Sequence, residues 1–199
     1  MSKLPADFYQ REDVLLISRE LLGKVLCTNF HGKLTSGIIV ETEAYAGVTD
    51  KASHAYGGRR TKRTETMYAK GGSAYVYLCY GIHHLFNIVT NKENIPHAVL
   101  IRAIHPQDGI EIMLQRRNKK KVDYTLTGGP GSLSQALGLE VANSGACLMS
   151  NIIWLEDKKN YKNQDILASS RVGVQYAGKD ANNPWRFQLK NNPWVSPAS

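Results

Sequence analysis

Two glutamates, Glu41 and Glu43, stand two residues apart at the end of an apolar run formed by Ile38, Ile39 and Val40. With Thr42 between them, the run is rich in β-branched residues and reads as a buried strand. Alternate side chains of an extended chain share a face, so Glu41, Glu43 and Tyr45 should project together. A polar loop with Gly47 follows and reaches His54. A carboxylate on a rigid strand end can take a proton from water and face a developing positive charge. Two such carboxylates could instead serve a metal-dependent nuclease, or simply be solvated where the strand ends.

Residues 73–91 read as a β-hairpin. Tyr75, Val76, Tyr77, Leu78, Cys79 and Tyr80 suit the outgoing strand, and residues 83–89 the return. Gly81 can supply the positive φ that a tight tip requires. Tyr80 should then sit at the tip and point away from Tyr77, since the two differ in parity.

The words ETEAY (41–45), ASHAYGG (52–58), YVYLCYG (75–81), FNI (86–88) and RVGV (171–174) occur in this order. So do GGPGSLSQALGL (128–139) and NPWVS (192–196). With them the chain resembles the alkyladenine, or 3-methyladenine, DNA glycosylases of the methylpurine type, from about residue 5 to its end. The resemblance implies that Glu43, the second acid of ETEAY, holds the water that attacks an N-glycosidic bond. Spacing alone does not separate Glu43 from Glu41. Arg102 matches an arginine that helps hold this water near a backbone phosphate, although it could equally be a salt bridge at a strand end. Val172 matches a third group around the water, acting through its backbone carbonyl.

A base inside a duplex must leave the stack to reach such a pocket. Tyr45, His54 and Tyr77 match the residues that stack on it. An aromatic face gains about 0.5–2 kcal/mol from a cation, which suits purines that alkylation has charged. Asn87 matches a gatekeeper whose amide meets the position of the guanine 2-amino group, donor against donor. Tyr80 matches a wedge in the minor groove. The chain departs from the family pattern at Ile82, His83 and His84, which leaves substrate range open. No lysine occupies a pocket word, so a monofunctional glycosylase that leaves an abasic site is expected.

Composition agrees with these expectations. The 199 residues suit one domain, and the net charge of +8 suggests a polyanionic partner. That partner would be double-stranded DNA carrying damaged purines, bound by a monomer. A non-catalytic nucleic-acid-binding module on the same surface is the rival reading. Arg59, Arg60, Lys62 and Arg63 crowd the end of the 46–62 loop. Arg59 and Arg63 are the expected phosphate contacts. Cys27, Cys79 and Cys147 are odd in number, widely spaced and without a CxxC pair, against a disulfide framework or structural zinc. No GxGxxG, P-loop or GxSxG word is present, and no cofactor or metal is expected. The N-terminus lacks an apolar leader segment, so a cytoplasmic (nucleoid) or nuclear, non-secreted protein is expected.

The elements that must position these residues read as one α+β domain. It would have a largely antiparallel curved sheet, flanking helices and a protruding hairpin that enters the minor groove. Helices are expected at 11–22, 107–117 and 132–137, the last capped by Ser132. Strands are expected at 24–30, 33–42, 98–104, 152–155, 172–176 and 185–189. Residues 157–165 read as a polar loop, and Lys119, Lys120 and Lys121 as a solvated turn.

Overall fold

A computed structural model describes residues 2–196. In chain order the elements are α1 (Ala6–Tyr9), α2 (Val14–Glu20), β1 (Val25–Phe30) and β2 (Lys33–Tyr45). There follow β3 (Ala74–Cys79), β4 (His83–Thr90), β5 (His97–Pro106), α3 (Ile110–Arg116) and α4 (Pro130–Leu137). The chain closes with β6 (Ile153–Glu156), β7 (Ile166–Ser169) and β8 (Arg186–Leu189).

All pairings are antiparallel, in the order β3-β4-β5-β2-β1-β6, with β8 set against both β2 and β7. The 13-residue β2 is the spine. Its first half pairs with β1 and its second with β8, while β5 runs along the other side. The β2–β5 register slips on both sides of Glu41, a bulge that leaves Val40 and Arg102 without direct partners. Bulges bend a strand and re-aim its side chains, and they recur beside active sites. Thr42 turns to α2, where its hydroxyl donates to the Ser18 carbonyl at 2.9 Å. By alternation Glu41 and Glu43 turn to the opposite face. The fold is thus an α+β domain with a curled sheet and few helices.

The β1–β2 connection is a tight turn in which His31 and Gly32 both have positive φ, 55° and 74°. The β3–β4 hairpin turns in the same way at Tyr80 and Gly81, φ 51° and 74°. Two successive positive φ values match the right-handed twist of hairpin strands. They place Tyr80 in a backbone region that most non-glycine residues avoid.

Several expected boundaries are corrected. The first helix begins at Val14 because Asp13 caps it, its carboxylate accepting from the Leu15 and Leu16 amides. Residues 11–13 therefore lie outside it, and α1 is a separate turn. Gly129 caps α4 and Pro130 opens it, so Ser132 is not the cap. Its hydroxyl instead accepts from Arg117. Lys119 is not a free surface cation, since its ammonium reaches Thr125 and Asp123. β7 was not anticipated. The 172–176 segment is not a strand: Gly173 has φ 73°, and a 3₁₀ stretch, Gln175–Asn182, follows directly.

Candidate active site

Glu43 lies on the second half of β2, between Leu100 of β5 and Arg186 of β8, and is fully buried. One carboxylate oxygen accepts from the Val172 amide at 2.8 Å and lies 3.3 Å from an Arg102 guanidinium nitrogen. The other accepts from the Tyr45 hydroxyl at 2.8 Å. An ionised carboxylate has roughly four acceptor positions. Among the described residues, these three donors leave one of them without a protein partner.

Glu41 is placed quite differently. One oxygen takes the Nε–H groups of Arg102 and Arg186 at 2.8 and 2.7 Å, and the Ser196 hydroxyl at 2.9 Å. The other takes the Ser196 amide at 2.7 Å. Its negative charge is spent on two arginines. Among the described residues, no group of three His, Cys, Asp or Glu side chains comes together. Where a cation would have to bridge Glu41 and Glu43, the Arg102 guanidinium already touches both.

Tyr45, Arg102 and Val172 line a cavity of about 660 Å³. Glu43 sits behind this wall. His54, Tyr75, Tyr77 and Asn87 line the same cavity, and the hairpin tip with Tyr80 and the Gly129–Ser132 turn form its mouth. His54 meets Tyr77 edge to face at a centroid distance of 4.6 Å, and its Nδ1 lies 3.0 Å from the Tyr75 hydroxyl. Burial lowers the His54 pKa to about 4, and the nearby Arg63 and Arg59 push it the same way. The imidazole is therefore neutral near pH 7. Burial, then the charge of Glu43, raises the Tyr45 pKa, so that hydroxyl keeps its proton and remains a donor. Burial opposes the charge on Arg102, but Glu43 and Glu41 overcome it and its pKa is raised.

Tyr80 is 89% exposed, the most exposed large hydrophobic residue among those described, while Tyr77 faces the cavity. Asn87 is buried on β4, and its amide nitrogen donates to the carbonyls of Tyr75 and Leu85 at 3.1 and 3.2 Å. Both hydrogens are therefore committed.

The basic run divides. Arg60 makes a two-pronged pair with Glu65 and lies over the Tyr68 ring, which makes it scaffold. Arg59 is exposed without a carboxylate partner among the described residues. Arg63 lies over Tyr77 at 5.0 Å and reaches His54 Nε2 at 3.4 Å, joining the cavity rim to the surface.

Sequence reasoning missed the frame around the acid. Arg171 is buried and bonds both Asp50 oxygens and the Ala44 carbonyl. Its guanidinium lies between the rings of Tyr45 and Trp185, 4.8 and 4.9 Å from their centroids. This anchor carries the next residue, Val172, to Glu43. The RVGV word contained that arginine, but nothing in its spacing paired it with Asp50.

A sequence profile described as methylpurine-DNA glycosylase matches residues 7–193. A Chlamydia felis protein named "Putative 3-methyladenine DNA glycosylase" is 50% identical, over 94% of this chain and 95% of its own. A protein of the same name from Desulfitobacterium hafniense is 43% identical, over 98% of this chain and 99% of its own. The class so defined is the DNA repair glycosylases, hydrolases that act on N-glycosyl bonds. Within that class, the chain belongs to the methylpurine-DNA glycosylase family.

Proposed function

We propose that this glycosylase draws alkylated or deaminated purines, 3-methyladenine among them, out of duplex DNA and hydrolyses the N-glycosidic bond, leaving an abasic site. The observation that carries this reading is Glu43. It is held by Tyr45, Val172 and Arg102 behind an aromatic cavity, with one acceptor position unassigned. The purine leaves with the electron pair of the broken N-glycosidic bond, while Glu43 faces the positive charge that builds on the sugar and takes a proton from the water that bonds to it. That water takes the acceptor position of Glu43 that Tyr45, Val172 and Arg102 leave. Arg102 and the Val172 backbone carbonyl complete the water's surroundings, while the Val172 amide holds Glu43.

Tyr45, His54 and Tyr77 stack on the flipped purine. Their π faces favour a cationic alkylated base over a neutral normal one. Asn87 excludes guanine because its amide nitrogen, held by two carbonyls, is a donor group and offers no acceptor to the 2-amino group. Tyr80 fills the vacated stack, and Arg59 and Arg63 hold phosphates. A monomer acts without cofactor, on DNA inside the cell.

The test uses duplexes that each carry one lesion: 3-methyladenine, 7-methylguanine, hypoxanthine or ethenoadenine. Alkali then reveals abasic sites. Release of at least one lesion, unchanged by EDTA, is expected. Binding without release would leave the nucleic-acid-binding rival standing, and activity abolished by EDTA would favour a metal-dependent nuclease.

A further inference from the structure

Ser196, the last residue of the NPWVS word, is buried beneath the active site. Its amide donates to one Glu41 oxygen and its hydroxyl to the other, at 2.7 and 2.9 Å. The hydroxyl oxygen also accepts from Arg102 at 3.4 Å and Arg186 at 3.5 Å, and the Ser196 carbonyl accepts from Arg186 at 3.1 Å. All three nitrogens of the Arg102 guanidinium are thereby engaged: Nε on Glu41, one terminal nitrogen on Glu43 and the other on Ser196.

The cluster joins β2, β5, β8 and the C-terminal segment. Glu41, Glu43, Arg102 and Arg186 are each at most 7% exposed, two charges of either sign. Glu41 neutralises Arg186, which would otherwise stand as an uncompensated buried charge beside the site. It also fixes the plane of Arg102, because a guanidinium held at Nε cannot swing about its last bonds.

We propose that Glu41, with Arg186 and Ser196, is a positioning cluster that holds Arg102 in the plane where it meets Glu43 and the attacking water, and that the C-terminal segment is therefore part of the catalytic framework. This rests on the proposed role of Glu43. A misplacement of about 1 Å in a positioned group costs on the order of 100-fold in rate. The cluster should therefore appear in the chemical step and leave binding alone.

The experiment compares single-turnover excision of hypoxanthine, lesion-duplex affinity and melting temperature for wild type, Glu41→Gln, Ser196→Ala and a chain ending at Val195. Ser196→Ala keeps the amide bond and should slow excision roughly 10-fold. The shortened chain, without the amide, should slow it on the order of 100-fold. Affinity should stay within about 2-fold for both. Glu41→Gln presents an amide NH₂ to donors and is the variant at risk of unfolding, which the melting temperature reports; the two serine changes stand without it.

Glu43→Gln is run alongside. If it keeps wild-type excision, the reading of Glu43 falls, whatever the serine variants do. If Glu43→Gln is inactive while folded Ser196→Ala and the shortened chain excise at the wild-type rate, the positioning cluster is overturned and Ser196 only tethers the chain end. Equal losses in affinity and excision would overturn it too.

Discussion

The Tyr45 hydroxyl occupies the Glu43 oxygen that the Val172 amide leaves alone, at 2.8 Å. Its ring faces the cavity, so one residue covers the acid and, in the proposed function, stacks on the base. These functions separate in Tyr45→Phe, which keeps the ring and uncovers the oxygen. Excision by Tyr45→Phe should stay within a few-fold of wild type, while Tyr45→Ala should lose roughly 10- to 100-fold through lost stacking, at about 1–3 kcal/mol per base. Single-turnover rates check this. A phenylalanine variant as slow as the alanine one would assign the work to the hydroxyl. Asn87 is argued by the same local geometry. Asn87→Ala removes the pinned amide, so release of normal guanine should rise relative to hypoxanthine, measured on two matched duplexes. An unchanged ratio would show that the amide does not select. Glu41 and Glu43 could not be told apart by spacing, because both lie on one face of β2. What separates them, Ser196 and Arg186, comes from far along the chain.

At the scale of elements, the hairpin and the β2 strand were legible because each is a local pattern: β-branched and aromatic residues around a glycine, and acids at the end of an apolar run. The sequence predicts a strand at 172–176. The structure instead turns at Gly173, φ 73°, directly after the Val172 amide that meets Glu43. The buried Arg171–Asp50 pair that fixes the bend spans 121 positions, and no local pattern marks such a contact. The hairpin carries its own prediction. Tyr80 stands on a two-residue turn with no burial to lose, so Tyr80→Ala should leave the melting temperature nearly unchanged. It should slow excision from a duplex much more than from a single strand, where less stacking must be broken. Equal losses on both substrates would remove the wedge role.

For the whole molecule, the net charge of +8 makes DNA affinity depend on salt. Arg59→Ala should lower the slope of log affinity against log salt by roughly 0.9, one phosphate's worth. Arg60→Ala, which breaks the pair with Glu65, should leave the slope alone and lower the melting temperature slightly. An equal slope change for both would mean the surface works only through its total charge. Acid should act on the fold through His54, whose pKa falls from 6.5 to about 4 on folding. The unfolded chain takes that proton first, so stability is full above about pH 6.5 and declines as pH falls toward 4. The decline is up to roughly 3 kcal/mol. His54→Gln should therefore lose less melting temperature than wild type between pH 7 and pH 4.5, roughly the limits of that window. Parallel losses would show that other groups govern acid stability.

The central claim is that Glu43 is the base for the attacking water, and Glu43→Gln tests it most directly, because the amide keeps the shape and removes the charge. Single-turnover excision should be followed on duplexes carrying hypoxanthine or 7-methylguanine, with lesion-DNA binding measured alongside. A loss of about 10²–10⁴ is expected for hypoxanthine, which is uncharged in the nucleotide and leaves with the bonding pair as an anion. The loss should be smaller for 7-methylguanine, whose own charge already weakens the bond, and binding should be retained. Near-wild-type excision of hypoxanthine by folded Glu43→Gln would contradict the account.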